Sequence, residues 1–79
     1  MSPTILRLGP YRFFFYSNDA HEPPHVHVER DWQTAKFWLQ PVRLATASGF
    51  SARELRGIES IVKRHSTDFR EAWDEYFSE

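Results

Sequence analysis

The sequence predicts an α+β protein in which an antiparallel sheet of about four strands is followed by two C-terminal helices packed on one face. In the first half of the chain, apolar and polar residues alternate, which is the period of a half-buried strand. From residue 50 onward, apolar residues recur every three or four positions, which is the period of a helix. Strands that precede helices in this way are typical of the α+β class.

The 79 residues are expected to form a single domain, 1–79, close to the smallest size at which a hydrophobic core stabilises itself. Aromatic residues make up 16% of the chain and cysteine is absent, so ring packing replaces disulfides and thiolate zinc sites. A net charge of −1 excludes a uniformly basic nucleic-acid-binding protein. No apolar run approaches twenty residues and no signal peptide is recognisable, so we expect a cytoplasmic protein without membrane contact.

The first two predicted strands, over residues 5–8 and 11–16, flank Gly9-Pro10. Glycine adopts the positive φ that a tight hairpin turn requires, and proline is compatible with a turn corner. The turn predicts Leu8 opposite Tyr11 and Leu6 opposite Phe13 on one face, with Arg7 opposite Arg12 on the other.

A second hairpin is predicted around Asp31-Trp32, between a strand at 25–29 and a strand at 34–39. Strict alternation places the two valines of the strand at 25–29 toward the core and its two histidines on the opposite face. The predicted cross-strand pairs are Val28 with Ala35, Val26 with Phe37, His27 with Lys36, and His25 with Trp38. A slip of one residue would reverse both faces, so these pairs test the prediction.

Residues 42–45 are predicted to form a short strand or a bridging segment before the helical half. Two consecutive helices are expected over about 52–64 and 67–77, with a break and a new N-cap at Ser66-Thr67. At the start of the first helix, Ser51 and Glu54 have the spacing of a capping box, and Phe50 and Leu55 that of a hydrophobic staple.

Chemistry-bearing residues concentrate in the stretch 18–28, which contains three of the four histidines and a Pro-Pro pair. Proline restricts the residue before it to extended geometry, so this pair fixes how the chain enters the next strand. His25 and His27 then share one strand face, about 7 Å apart at their Cα atoms. Both imidazoles are therefore able to reach a common ligand.

Four segments resemble a family of small bacterial and phage proteins known as domain of unknown function 4160. They are Glu22–Val28, Ala35–Leu39, Gly49–Ser51 and Trp73–Phe77. The resemblance implies one component of a toxin–antitoxin-like module of two small proteins, with a protein partner. The motif positions that it marks as binding residues are Glu22, His25, His27, Lys36 and Trp38. The family supplies no catalytic set, so whether the chain is an enzyme stays open.

One interpretation of the histidines is a divalent metal site. His25 and His27 supply imidazole nitrogens, with His21 as the further histidine candidate and Asp19, Glu22 or Glu29 as carboxylate alternatives. The plain alternative is that both imidazoles form hydrogen bonds with neighbouring groups at the sheet surface.

A second interpretation is a ribonuclease-type toxin with RNA as its substrate. His25 and His27 would act as acid and base, Lys36 would bind phosphate, and Trp38 would stack on a nucleobase. A half-solvated sheet face of ordinary composition explains the same residues.

The third interpretation, which we favour, is a protein-binding surface on the sheet face that the helices leave uncovered. Its aromatic candidates are Phe14, Tyr16, Trp32 and Trp38, and its cationic candidates are Arg7 and Arg12. Exposed aromatic residues beside arginine are typical of interface hot spots.

Overall fold

The computed structural model describes residues 4–78, which form a five-stranded antiparallel sheet followed by two helices. The strands are β1 (Thr4–Leu8), β2 (Tyr11–Phe14), β3 (His25–Arg30), β4 (Gln33–Leu39) and β5 (Val42–Ser48). A 3₁₀ turn at Asp19–His21 lies between β2 and β3, and the helices are α1 (Ala52–Arg64) and α2 (Ser66–Phe77). The predicted α+β fold is confirmed. The fifth strand arises because the segment expected at 42–45 continues to Ser48 and pairs with most of β4.

Sheet order follows chain order, β1-β2-β3-β4-β5, so every connection within the sheet joins neighbouring antiparallel strands. The pairs predicted across both hairpins are present, including Leu6 with Phe13 in the first and His27 with Lys36 in the second. Both turns contain a residue with positive φ, Gly9 at 57° and Asp31 at 55°. Glycine adopts this conformation freely and aspartate tolerates it, which explains why these residues set the register.

The core lies between one face of the sheet and the two helices. The sheet contributes buried Phe13, Val26, Val28, Ala35 and Phe37, and the helices contribute Ile58, Val62, Phe69 and Trp73. Ring contacts join the two layers: Phe13 lies 5.4 Å from Phe69 and Phe15 lies 5.2 Å from Trp73, between centroids. The apolar alternation of the strands therefore packs against the apolar stripe of the helices, as predicted.

The start of α1 differs in part from its predicted capping box. The Ser51 hydroxyl accepts a hydrogen bond from the Glu54 backbone N–H at 3.1 Å, as expected. The Glu54 carboxylate instead accepts hydrogen bonds from the Tyr11 hydroxyl at 2.7 Å and from Arg30 at 2.8 Å. This carboxylate consequently ties α1 to β2 and β3.

The predicted N-cap of the second helix is wrong. The residue at the N-cap position of α2 is His65, and its side chain makes no capping hydrogen bond. α1 ends at Arg64 and α2 begins at Ser66. His65 is therefore both the C-cap of α1 and the N-cap of α2, which leaves no position for a separate Ser or Thr cap.

We expect Glu54 to contribute to the pH dependence of stability. The hydrogen bond from Tyr11 and the nearby Arg30 outweigh burial and lower the pKa of Glu54 below its ordinary value of 4.5. A carboxylate whose pKa is lower in the folded state stabilises the fold above 4.5, and this contribution is lost as pH falls through the folded pKa. Urea denaturation of Glu54→Gln should show a smaller loss of unfolding free energy on acidification. Glu71→Gln, on the exposed side of α2, controls for the removal of one charge.

The two glycines near α1 make a matched pair for a stability test. Gly49 has φ +93°, and a Cβ there would overlap the indole ring of Trp32, whereas a Cβ at Gly57 meets nothing within 4 Å. Gly57→Ala should therefore stabilise the protein by about 1 kcal/mol, since alanine favours helix interiors. Gly49→Ala should destabilise it by more than about 1 kcal/mol, because strain and overlap add. Urea denaturation measures the change in unfolding free energy for both variants. Changes in the same direction would contradict the described turn.

Candidate functional site

The segment between β2 and β3 folds back over the sheet face opposite the helices. Its 3₁₀ turn brings Asp19 to the histidines of β3, and Glu22 to Lys36 of β4. Glu22 is extended, with φ −113° and ψ 162°, as the following proline requires. The Pro24 carbonyl then accepts a hydrogen bond from the Leu39 N–H at 3.1 Å, so the segment joins the sheet where β3 begins.

Asp19 lies at the centre of the site. Its Oδ2 accepts a hydrogen bond from the Tyr16 backbone N–H at 2.8 Å and lies 3.1 Å from Nε2 of both His25 and His27. Burial alone would raise the pKa of Asp19, but the Tyr16 hydrogen bond and the two imidazoles lower it below its ordinary value. Asp19 is therefore an ionised carboxylate that faces two histidine nitrogens.

His25 is fully buried, with 0% of its surface exposed. Its ring lies 4.9 Å from Trp73, 5.0 Å from His27 and 5.6 Å from Trp38, between centroids. Nδ1 lies 2.9 Å from the Pro23 carbonyl oxygen. Because a carbonyl only accepts hydrogen bonds, this contact assigns a proton to Nδ1.

His27 lies next to His25 on the same face and is largely covered. Its ring stacks on Phe14 at 5.4 Å and meets Tyr16 at 4.7 Å, while Nε2 binds Asp19. Burial, which outweighs the attraction of Asp19, lowers the pKa of His27 below 6.5. The imidazole is consequently neutral at pH 7, with a proton on Nε2 that hydrogen-bonds to Asp19.

Glu22 and Lys36 form the second half of the site. Lys36 Nζ lies 2.6 Å from Glu22 Oε1 and 4.6 Å from the centre of the Trp38 ring. The hydrogen bond from Lys36 is the main cause of a lowered pKa of Glu22. The same carboxylate oxygen is 3.7 Å from Nδ1 of His25, which connects the two halves.

The five predicted binding residues, Glu22, His25, His27, Lys36 and Trp38, thus meet in one contiguous network. His21, the third predicted histidine ligand, is exposed and lies outside the Asp19–His25–His27 group. Glu29, another alternative ligand, pairs with Arg12 at 3.0 Å. Asp19 was only one of several alternatives in the sequence, because nothing in the pattern indicates that a turn residue lies above the histidines.

Sequence analysis missed a pocket at one end of this network. It has a volume of about 260 Å³. Its lining residues are Pro23, Pro24, Trp38, Gln40, Pro41 and Arg43. The Pro-Pro pair and the β4–β5 turn supply the rest of the lining beside Trp38. Pairing of Trp38 with Arg43 across β4 and β5 was the missing information, since no pairing partner was predicted for the segment 42–45.

Replacement of the buried histidine should destabilise the fold. His25→Ala removes a fully buried ring and its hydrogen bond to Pro23, so we expect a loss of about 2–4 kcal/mol in the free energy of unfolding. His21→Ala, on the exposed turn nearby, should change it by no more than about 0.5 kcal/mol. Urea denaturation followed by tryptophan fluorescence measures both. Equal values for the two variants would show that the network does not hold the segment in place.

The comparisons with known proteins agree with the motif-based resemblance. A search of curated proteins and a search of solved structures each found no match. A family model described as Domain of unknown function (DUF4160) matches residues 11–74, which include β2 to β5, α1 and most of α2. Because this match extends over far more than half of the 79 residues, the chain belongs to the DUF4160 family.

Proposed function

We propose that this protein is a small interaction and regulatory protein that binds a protein partner through the pocket beside Trp38. The observation that supports this proposal is the pocket itself, an opening of about 260 Å³ at the end of the sheet face that the helices leave uncovered. The rest of that face offers less: His25 is fully buried, and His27 is covered by Phe14 and Tyr16.

The lining of the pocket suits a protein segment. Pro23, Pro24 and Pro41 have restricted backbones and small, rigid rings, and Trp38 adds a broad aromatic wall. Rigid apolar walls lose little conformational entropy when a partner binds. Arg43 is exposed at the rim and supplies a cation for a carboxylate on the partner. Tryptophan and arginine are the residue types most enriched at interface hot spots.

The biological setting that we propose is a bacterial toxin–antitoxin-like module of two small proteins. Its support is what the motif resemblance implies; the matching family model itself describes no function. A toxin and an antitoxin both need a partner surface, and the pocket supplies one.

The ribonuclease alternative receives less support from the geometry. A general acid or base has to approach the proton that it transfers, yet His25 has no exposed surface. Lys36, the expected phosphate ligand, is held by Glu22 at 2.6 Å. Phosphate binding would first have to break that ion pair. We therefore favour a protein partner over RNA.

Neither helix in the described part of the chain is long and apolar enough to cross a bilayer. As a separate proposal, drawn from the sequence, we place the protein in the cytoplasm.

Arg43→Glu should weaken partner binding at least about tenfold, because it replaces the cation at the pocket rim with an anion that repels the partner's carboxylate. The matched control is Arg56→Glu, which changes another exposed arginine, on α1 at the other face of the sheet. A photo-crosslinking residue at position 43 or 56 identifies the partner in cells. Titration of the purified partner then measures both charge-reversal variants. Crosslinks from position 43 to RNA, or equal weakening by both variants, would contradict the proposal.

A further inference from the structure

One buried nitrogen has an unmet requirement for a partner. His25 Nε2 is fully enclosed, and among residues 4–78 no group forms a hydrogen bond with it. Asp19 Oδ2 lies 3.1 Å away, close enough for an ion pair but outside hydrogen-bonding geometry. A buried polar atom without a hydrogen bond is costly, so such an atom requires an explanation.

The position of the proton on the His25 ring shows what kind of partner Nε2 requires. Nδ1 carries a proton because it faces the Pro23 carbonyl at 2.9 Å, so in the neutral ring Nε2 presents a lone pair to the Asp19 carboxylate. Two electron-rich atoms 3.1 Å apart repel unless a positive charge lies between or beside them. A bound cation meets that requirement, and so does a second proton on the ring.

The surroundings of His25 favour the cation. Histidines that bind metals almost always donate their other ring N–H to a carboxylate or a backbone carbonyl, which fixes the tautomer and the direction of the ring. The Pro23 carbonyl serves His25 in this way. Asp19 is likewise oriented, by the Tyr16 N–H at 2.8 Å.

The donor atoms are also close enough to share one ion. One ligand atom from each of Asp19, His25 and His27 lies within 4.8 Å of the others, and Asp19 Oδ2 lies 3.1 Å from both imidazole nitrogens. A tetrahedral ion with bonds of about 2.0–2.2 Å holds neighbouring ligand atoms about 3.4 Å apart. Small side-chain rotations therefore suffice to place an ion among the three.

We propose that Asp19, His25 and His27 bind a divalent first-row transition-metal ion such as Zn²⁺. The ion accepts the lone pairs of the two Nε2 atoms and a carboxylate oxygen of Asp19. The proton that otherwise joins His27 Nε2 to Asp19 is given up to solvent, and His27 takes one up on Nδ1, so the ring stays neutral. Two imidazoles and a carboxylate suit Zn²⁺ better than Mg²⁺, which prefers oxygen ligands. Three protein ligands leave the fourth position of a tetrahedral ion to water or to an exchangeable ligand.

The same ion has a route to its site. His27 and Asp19 keep 17% and 12% of their side-chain surface exposed, whereas His25 keeps none. The fourth position is therefore on the side of Asp19 and His27, while His25 closes the inner side. This inference is independent of the protein-binding pocket, because Arg43 and the rim are not ligands.

Two-dimensional NMR of the histidine rings in the metal-free wild-type protein tests the site without any substitution. Addition of Zn²⁺ should shift the His25 and His27 resonances together and saturate at one ion per chain, while those of His21 and His65 stay in place. Mg²⁺ at the same concentration should leave all four unchanged. Shifts at His21 alone, or no shifts at stoichiometric Zn²⁺, would overturn the proposal.

Calorimetric titration of variants supplies the second arm. Asp19→Asn and His27→Gln should each weaken Zn²⁺ binding at least about 100-fold, while His21→Gln should bind as the wild type does. Far-ultraviolet circular dichroism confirms that each variant is folded before titration. If the folded ligand variants bind Zn²⁺ as tightly as the His21→Gln control, the ion lies elsewhere and the proposal fails.

Discussion

The partly buried carboxylate of Asp19 is the constraint on which the uncovered side of the sheet depends. A charge removed from water is costly unless hydrogen bonds or opposite charges compensate it. Here the Tyr16 N–H and the His27 ring donate to one oxygen, and His25 faces the same atom at 3.1 Å. The segment between β2 and β3 satisfies this carboxylate only when it lies across the sheet. The carboxylate therefore fixes the path of the segment.

That path gives a small chain a partial third layer. Helices α1 and α2 pack mainly on one face of the sheet, with Trp73 reaching His25, yet Phe14, on the other face, is 2% exposed. Its cover consists of Tyr16 and His27, in ring contact at 5.1 and 5.4 Å, and of the Arg12 guanidinium 4.3 Å above its centre. A chain of 79 residues buries a limited share of its surface in a two-layer fold. The polar and aromatic side chains that cover the second face increase that buried share.

Sequence patterns were sufficient for the register of this fold but not for the surroundings of its site. Alternation and two turn residues, Gly9 and Asp31, determine which side chains share a face, so the pairs of β3 with β4 followed directly. Alternation does not reveal what covers a face. His25 was accordingly expected at a sheet surface, whereas it is fully buried. The role of Asp19 depends on a non-periodic turn, and the Glu54 carboxylate serves Tyr11 and Arg30 instead of its own helix end.

The pocket and the histidine cluster share residues, so buried contacts hold part of the pocket lining in place. The Pro23 carbonyl accepts the hydrogen bond of His25 while the Pro23 ring lines the pocket. Trp38 is in ring contact with His25 and also lines the pocket. A binding surface that is fixed by buried contacts pays less for ordering on association. Trp38 consequently belongs to both sites, whereas Arg43 lines the pocket and is not part of the cluster. Substitution of the arginine therefore separates partner binding from the integrity of the network.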